Sequence, residues 1–224
     1  MTSLRGGRIK NRRKHMKIYR REVGMLATNC YLAVNEENKQ GVIVDPGADC
    51  DSIMELVEHA GVEKVVGILL THGHSDHIGA LNEVRQATGA PVYISKEDEP
   101  CLSKADINLS FFVGRSIQCQ PAENLVQDGE VLNLGGMEFE VLATPGHTKG
   151  GICYYNKENK FAFVGDTVFC ESIGRTDLPG GSYKQILESI KNKILVLDDG
   201  VALLPGHGPQ TSVGWERRRN PFLQ

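Results

Sequence analysis

This 224-residue sequence predicts an α/β fold in four layers, two packed β-sheets with helices on their outer faces. Three observations lead there. Strand-like apolar segments fill both halves of the chain. Amphipathic helical segments are interleaved with them. The composition, 40% hydrophobic and 24% charged, is that of a globular chain long enough to bury a large core. Periodicity alone leaves an ordinary three-layer sandwich open.

Residues 18–22, 30–34 and 41–44 read as short strands, the last running into the turn signal Asp45-Pro46-Gly47. Across 50–60, Ile53, Leu56, Val57 and Ala60 recur at helical spacing, and Gly61 is a stop. Residues 65–70 read as a buried strand. A helix is expected over 76–88, stopped by Gly89, and a strand over 91–95. Residues 99–120 show no period and read as a lid or an insertion. The rings of Phe111 and Phe112 at its centre are expected to pack as a satellite of the core, with contact to a substrate as the alternative. Residues 131–134, 138–143, 152–155 and 161–164 form a run of strands joined by hairpin turns. A helix over 182–193 places Tyr183, Ile186, Leu187 and Ile190 on one side. Residues 201–204 make a last strand and 212–219 a last short helix.

The net charge of −3 hides an asymmetry. Of the 25 Lys and Arg, nine lie within residues 1–21, which hold no acid. That leaves 16 basic against 28 acidic residues, a net of −12, for the rest. An acidic body argues against nucleic acid as the main ligand. The longest apolar run, 65–70, is far too short to span a bilayer. Residues 1–15 are expected to be a disordered basic extension and 16–224 one domain. No apolar segment follows the basic stretch as in a secretory signal, so a cytoplasmic protein without export for β-lactamase work is the expectation. The six cysteines (30, 50, 101, 119, 153 and 170) contain no C-x-x-C pair and read as reduced thiols. Monomer or homodimer is the default assembly.

The chemistry gathers after strand-like segments. Thr71-His72-Gly73-His74-Ser75-Asp76-His77 is the strongest signal. His72 and His74 are two apart, so an extended segment points both to one side. Asp76 and His77 follow where a helix begins, aimed at a second point nearby. Neutral imidazole and carboxylate are donors that suit zinc or iron. Thr144-Pro145-Gly146-His147-Thr148, Gly165-Asp166-Thr167 and Leu204-Pro205-Gly206-His207-Gly208 each follow a strand. Each alone is an ordinary turn. Together they deliver a His or Asp from four strand ends, with glycines that let the backbone come close to a metal cleft.

These residues, in this order, resemble the metallo-β-lactamase superfamily over nearly all of residues 16–223. Thr28-Asn29-Cys30-Tyr31, Val44-Asp45-Pro46-Gly47, Gly174-Arg175-Thr176-Asp177 and Asn220-Pro221-Phe222-Leu223 are similar to the short glyoxalase II-like hydrolases within it. The resemblance implies an αββα sandwich with a one- or two-metal site at the sheet edges. It implies that His72, His74 and His147 bind a first metal, that Asp76, His77 and His207 bind a second, and that Asp166 bridges them. Asp45 would orient a ligand histidine or its loop; a turn-forming Asp before Pro-Gly is the equal alternative. His15 and His59 match nothing in the pattern.

The implied cofactors are two divalent metal ions, zinc first, with iron or manganese as alternatives. Water between two cations is acidified toward neutrality and attacks a carbonyl. With Asp76 and Asp166 as catalytic groups and no further general acid, a thiolate is the leaving group that fits. The expected reaction is hydrolysis of a small-molecule thioester such as S-lactoylglutathione. Arg175 is a candidate to clamp a substrate carboxylate, with a structural ion pair to Asp177 as the rival reading. Only 17 residues follow His207, where longer glyoxalase II enzymes carry a glutathione-binding domain. The alternative reaction is a persulfide dioxygenase of the same fold on one iron.

Overall fold

A computed structural model describes residues 16–224. The basic extension expected over 1–15 lies outside the described residues. Among the described residues the strands form two six-stranded sheets and a two-stranded ribbon. The first sheet runs, in spatial order, β1 (Met16–Val23), β2 (Thr28–Asn35), β3 (Gln40–Val44), β4 (Lys64–Leu69), β5 (Val92–Ser95) and β6 (Asn124–Val126). Its first three strands are antiparallel; β3 to β6 are parallel. The second sheet holds β7 (Val131–Leu134), β8 (Met137–Ala143), β9 (Ile152–Asn156) and β10 (Phe161–Gly165) as an antiparallel run. After the ribbon of β11 (Val168–Phe169) and β12 (Ser172–Ile173), β13 (Ala202–Pro205) adds to it parallel to β10, and β14 (Thr211–Ser212) closes the edge.

Strand alternation decides the layer count. On β2, Cys30, Leu32 and Val34 pack with Ile53, Leu56 and Val57 of α1 (Cys50–His59), while Tyr31 and Ala33 point the other way. On β9, Ile152 and Tyr154 meet that second set. Cys153 and Tyr155 pack outward, with residues such as Ile186 of the later helical segment. The middle core thus lies between the sheets, and each sheet carries its own helical layer. Strands buried on both faces read as continuous apolar runs rather than alternating ones, which is why the sequence alone left three layers open. The αββα sandwich is the observed architecture.

The expected helix over 76–88 is two pieces, α2 (Ser75–Ile78) and α3 (Leu81–Thr88). The Ala80 N–H donates to the Pro46 carbonyl at 2.9 Å, so the 45–47 turn takes a hydrogen bond the helix would have used. Gly47 lies so close to the Asp76 carbonyl that a Cβ there would collide with it. Segment 99–120 contains α4 (Glu99–Ser103) and a single 3-10 turn at Ser110–Val113. The expectation that Phe111 and Phe112 form a satellite core is corrected. They are 67% and 47% exposed and lie against each other, ring centroids 4.2 Å apart, while Leu102, Leu109 and Ile117 of the same segment take the buried positions. The helix expected over 182–193 is α5 (Tyr183–Ser189), capped by the Ser182 hydroxyl and continued by a π-helical turn to Ile194. The last helix is α6 (Val213–Arg219). No helix among the described residues is long and apolar enough to cross a membrane. All six cysteines are free thiols, and four of them are buried.

Candidate metal centre

The ends of five strands meet at one edge of the sandwich. Asp45 follows β3, His72 and His74 follow β4, His147 follows β8, Asp166 follows β10 and His207 follows β13; Asp76 and His77 start α2. Three groups of donor atoms result: His72–His74–His147, His72–His77–Asp166 and Asp76–His77–His207. Within each, the donor atoms all lie within 4.8 Å of one another. Asp166 stands between the outer two. Its carboxylate is 3.5 Å from His147 Nε2, 3.4 Å from His77 Nε2 and 3.6 Å from His207 Nε2. Asp76 Oδ2 is 3.1 Å from His207 Nε2. Gly206 lets this happen, because a Cβ there would meet Asp166 Oδ1 and His77 Cε1.

Four of the five rings are held by one nitrogen so that the other faces the centre. His77 Nδ1 is 3.0 Å from Asp45 Oδ2, and His147 Nδ1 is 2.8 Å from the Arg175 carbonyl. His207 Nδ1 is 3.1 Å from the Leu26 carbonyl, and His72 Nδ1 is 3.1 Å from Thr71 Oγ1. Such partners fix ring orientation and make the facing nitrogen a better donor. The fifth ring, His74, has its Nδ1 2.9 Å from His147 Nε2. Asp45 serves as turn residue and as orienting carboxylate together: it also accepts from the Thr71 N–H at 2.8 Å and the Thr71 hydroxyl at 2.7 Å.

Burial and the surrounding His77, His74 and His147 rings push His72 well below the ordinary imidazole value. Burial and His147 bring His74 down to about 3. Both are neutral at pH 7, with lone pairs free to bind a cation. Burial also disfavours charge on His77, but Asp76, Asp166 and Asp45 outweigh it and raise this ring well above its ordinary 6.5. On His207 burial is likewise outweighed, by the bond to Asp76 and the charge of Asp166, and the ring is raised. Burial would raise both aspartates; His77 leads the groups that hold Asp76 and Asp166 below the carboxylate range.

The donor set fits metal ions. Buried polar atoms are normally hydrogen-bonded, yet His72 Nε2, His77 Nε2 and Asp166 Oδ1 are buried without a hydrogen-bond partner among the described residues. All three face the same point. A proton shared among imidazoles and carboxylates satisfies them poorly; divalent cations satisfy them fully.

Sequence reasoning missed the frame behind the ligands. Asp98, 2% exposed, accepts from the Gly73 N–H at 3.1 Å and the Thr148 hydroxyl at 2.7 Å through one oxygen. Its other oxygen accepts from the Gly150 N–H at 2.8 Å. It therefore ties the His72–His74 loop to the His147 loop. Nothing in Glu97-Asp98-Glu99 sets this acid apart from its neighbours, exposed Glu97 and half-buried Glu99. The Asn108 carbonyl accepts from the Ser75 N–H at 2.7 Å, so segment 99–120 is a buttress as much as an insertion. Asn29 and Tyr31 donate to the Pro205 carbonyl at 2.9 and 2.8 Å and Asn29 to Gly208, pinning the His207 loop. Asn220 donates to the Ser172 carbonyl at 2.9 Å, holding the ribbon. Both motifs were visible in the sequence, but their role was not.

A cleft of about 470 Å³ opens over the cluster. His74, Asp76, His147, Asp166 and His207 reach it, and Leu26, Leu109, Phe112, Phe169, Ile173 and Leu178 wall it. Arg175 lies at its side, its guanidinium paired with both oxygens of Asp177 at 3.0 and 2.9 Å.

Two sheets with helical layers outside, and a paired His/Asp cluster at their shared edge, define a metal-dependent hydrolase. The chain belongs to the metallo-beta-lactamase superfamily, whose family model matches residues 23–207. It is 39% identical over 209 residues to the probable metallo-hydrolase YqgX of Bacillus subtilis, covering 93% of this chain and 98% of that one. It is 39% identical over 197 residues to the hydroxyacylglutathione hydrolase GloC of Haemophilus influenzae, covering 87% and 92%. The crystal structure of the B3 metallo-beta-lactamase BLEG-1 superposes with a TM-score of 0.89 at 38% identity, covering 92% of this chain and 99% of that one. That of TTHA1623 in a di-iron-bound form gives 0.82 at 36%, covering 92% and 100%.

Proposed function

We propose that this protein hydrolyses a small-molecule thioester, an acyl-thiol such as S-lactoylglutathione, using two divalent cations, zinc in the first instance. His72, His74 and His147 would hold one ion, Asp76, His77 and His207 the other, with Asp166 between them. When bound, the ions supply Lewis-acid polarisation of the carbonyl and acidify a water to hydroxide near neutral pH. Asp76 and Asp166 are ionised and offset the cationic charge, while Asp45 and the Arg175 carbonyl keep His77 and His147 turned inward. Leu26, Phe112 and Phe169 give the cleft an apolar wall.

The observation that carries the thioester reading is what the cleft lacks. Among the described residues lining it, the titratable groups are the metal ligands and Arg175, which stays charged. No separate acid stands ready to protonate a departing group. A thiolate, whose conjugate acid titrates at about 8.5, leaves unaided, whereas an alkoxide or an amine nitrogen needs a proton. The name of the Haemophilus relative agrees with this reading.

The test compares three substrates on zinc-loaded and metal-stripped protein: S-lactoylglutathione, an oxygen ester with the same acyl group, and a β-lactam. The proposal expects metal-dependent turnover with the thioester preferred by at least about 100-fold in kcat/KM, the scale of acid catalysis. Equal or better turnover of the ester or the β-lactam overturns it, as does persulfide-dependent oxygen uptake by iron-loaded protein without thioester hydrolysis.

A further inference from the structure

The cleft has a second arm that the sequence did not suggest. A smaller pocket of about 260 Å³ adjoins it, and Leu26, Ser75 and Asp76 line both. Val113, Arg115 and Ile117 of segment 99–120 form one wall of this arm. Arg115 Nη2 donates to the Gly79 carbonyl at 2.9 Å. Gly79 is three residues beyond Asp76 and directly follows α2.

A guanidinium carries five N–H donors in a planar fork. Among the described residues, the Gly79 carbonyl is the acceptor Arg115 has, and no carboxylate lies within ion-pair distance of it. Arg175 differs: its fork is already spent on the two oxygens of Asp177. Two acids line the small arm: Asp76 has Oδ2 3.1 Å from His207 Nε2 in the ligand cluster, and Asp49 is turned to the Gly24 N–H at 2.8 Å. We propose that Arg115 is the residue that recognises a carboxylate of the substrate, received in this second arm while the scissile bond lies over Asp76 and Asp166. A fork matches a carboxylate through two parallel hydrogen bonds, and the arm is too small to enclose a nucleotide-bearing thiol carrier. The proposal rests on the thioester reading above and names the class of substrate within it: a thioester with an anionic carboxylate a few atoms from the sulfur or from the carbonyl.

Three thioesters locate that carboxylate. S-lactoylglutathione carries it on the thiol half, S-succinyl-N-acetylcysteamine on the acyl half, and S-lactoyl-N-acetylcysteamine carries none. Metal-loaded wild type is expected to prefer one of the first two over the third, and the preferred one identifies the half. Arg115→Ala is expected to cut that preference roughly 10- to 100-fold, through KM rather than kcat, with Arg115→Lys between the two. An unchanged preference in Arg115→Ala, or a larger loss in Arg175→Ala, overturns the assignment. Calorimetry separates this from failure of the hydrolase reading. Two uncleavable thioethers, S-methylglutathione and the S-carboxypropyl thioether of N-acetylcysteamine, are titrated into wild type and Arg115→Ala. Weaker binding of either to the variant supports the arm even where no thioester turns over. Equal binding of both, or none to wild type, overturns it.

Discussion

Replacing Asp98 by alanine should loosen the metal centre without touching a ligand. The carboxylate satisfies three donors at once, the Gly73 and Gly150 N–H groups and the Thr148 hydroxyl. Each buried donor left without an acceptor costs about 1–3 kcal/mol, which sets a ceiling of about 9 kcal/mol. Two effects lower it. Burial raises the Asp98 pKa, the hydrogen bonds opposing, so the folded protein already resists this charge and removing it gives some free energy back. Water can also enter the space vacated. A net loss of about 3–5 kcal/mol follows. Because Gly73 sits between His72 and His74, and Thr148 follows His147, the same change frees the two loops that set the 2.9 Å spacing of His74 and His147. Zinc affinity should fall about 10- to 100-fold. Asp98→Asn should lose less, since its oxygen can keep two of the bonds while its NH2 faces the third donor. Urea unfolding of stripped protein and chelator competition for zinc measure the two effects separately. A stability loss below 1 kcal/mol with zinc affinity within twofold of wild type would refute the reasoning.

Other outcomes follow from the same geometry. Asp166→Ala should lose bound metal and most activity together; elemental analysis showing full metal content with full activity contradicts its place between the clusters. Gly206→Ala should displace Asp166 and His77 and lower metal content, whereas wild-type content would mean the loop simply moves. Metal binding should release about one to two protons at pH 7, because His77 and His207 are raised above 6.5 in the stripped site and must be neutral to bind. The sign for stability is fixed by the same shifts. Raised histidines stabilise the stripped protein below about pH 6.5 and lose that contribution as pH climbs through their folded values. The Tm gap between loaded and stripped protein should therefore widen from pH 6.5 to 9, and a constant gap would count against protonated His77 and His207.

How much of this was legible in the sequence depends on how local each cause is. The His72–His77 run, His147, Asp166 and His207 stood out because each follows a strand and sits among glycines, so short-range signals place it. The structure brings all seven candidate ligands to one edge. The layered fold was only half legible: β2 and β9 are apolar on both faces, and periodicity cannot say what lies beyond each face. The break between α2 and α3 was hidden because its cause, the Pro46 carbonyl, is more than thirty residues away. Asp98 and Asn108 were hidden for the same reason: their partners lie across the fold, and an acid between two glutamates looks like surface. Phe111 and Phe112 misled because aromatic rings are usually buried, and here neighbouring aliphatic side chains fill the core first. Arg175 was singled out by its motif, but the pairing with Asp177 two residues on was the nearer interaction.

The measurement that bears most directly on the account is a metal titration of stripped protein with S-lactoylglutathione hydrolysis followed at each step. Two complete sets of donors sharing Asp166 predict that hydrolysis rises to saturation at two zinc ions per chain, with little activity at one. Saturation at a single ion, or a fully loaded protein that leaves the thioester intact, would contradict it.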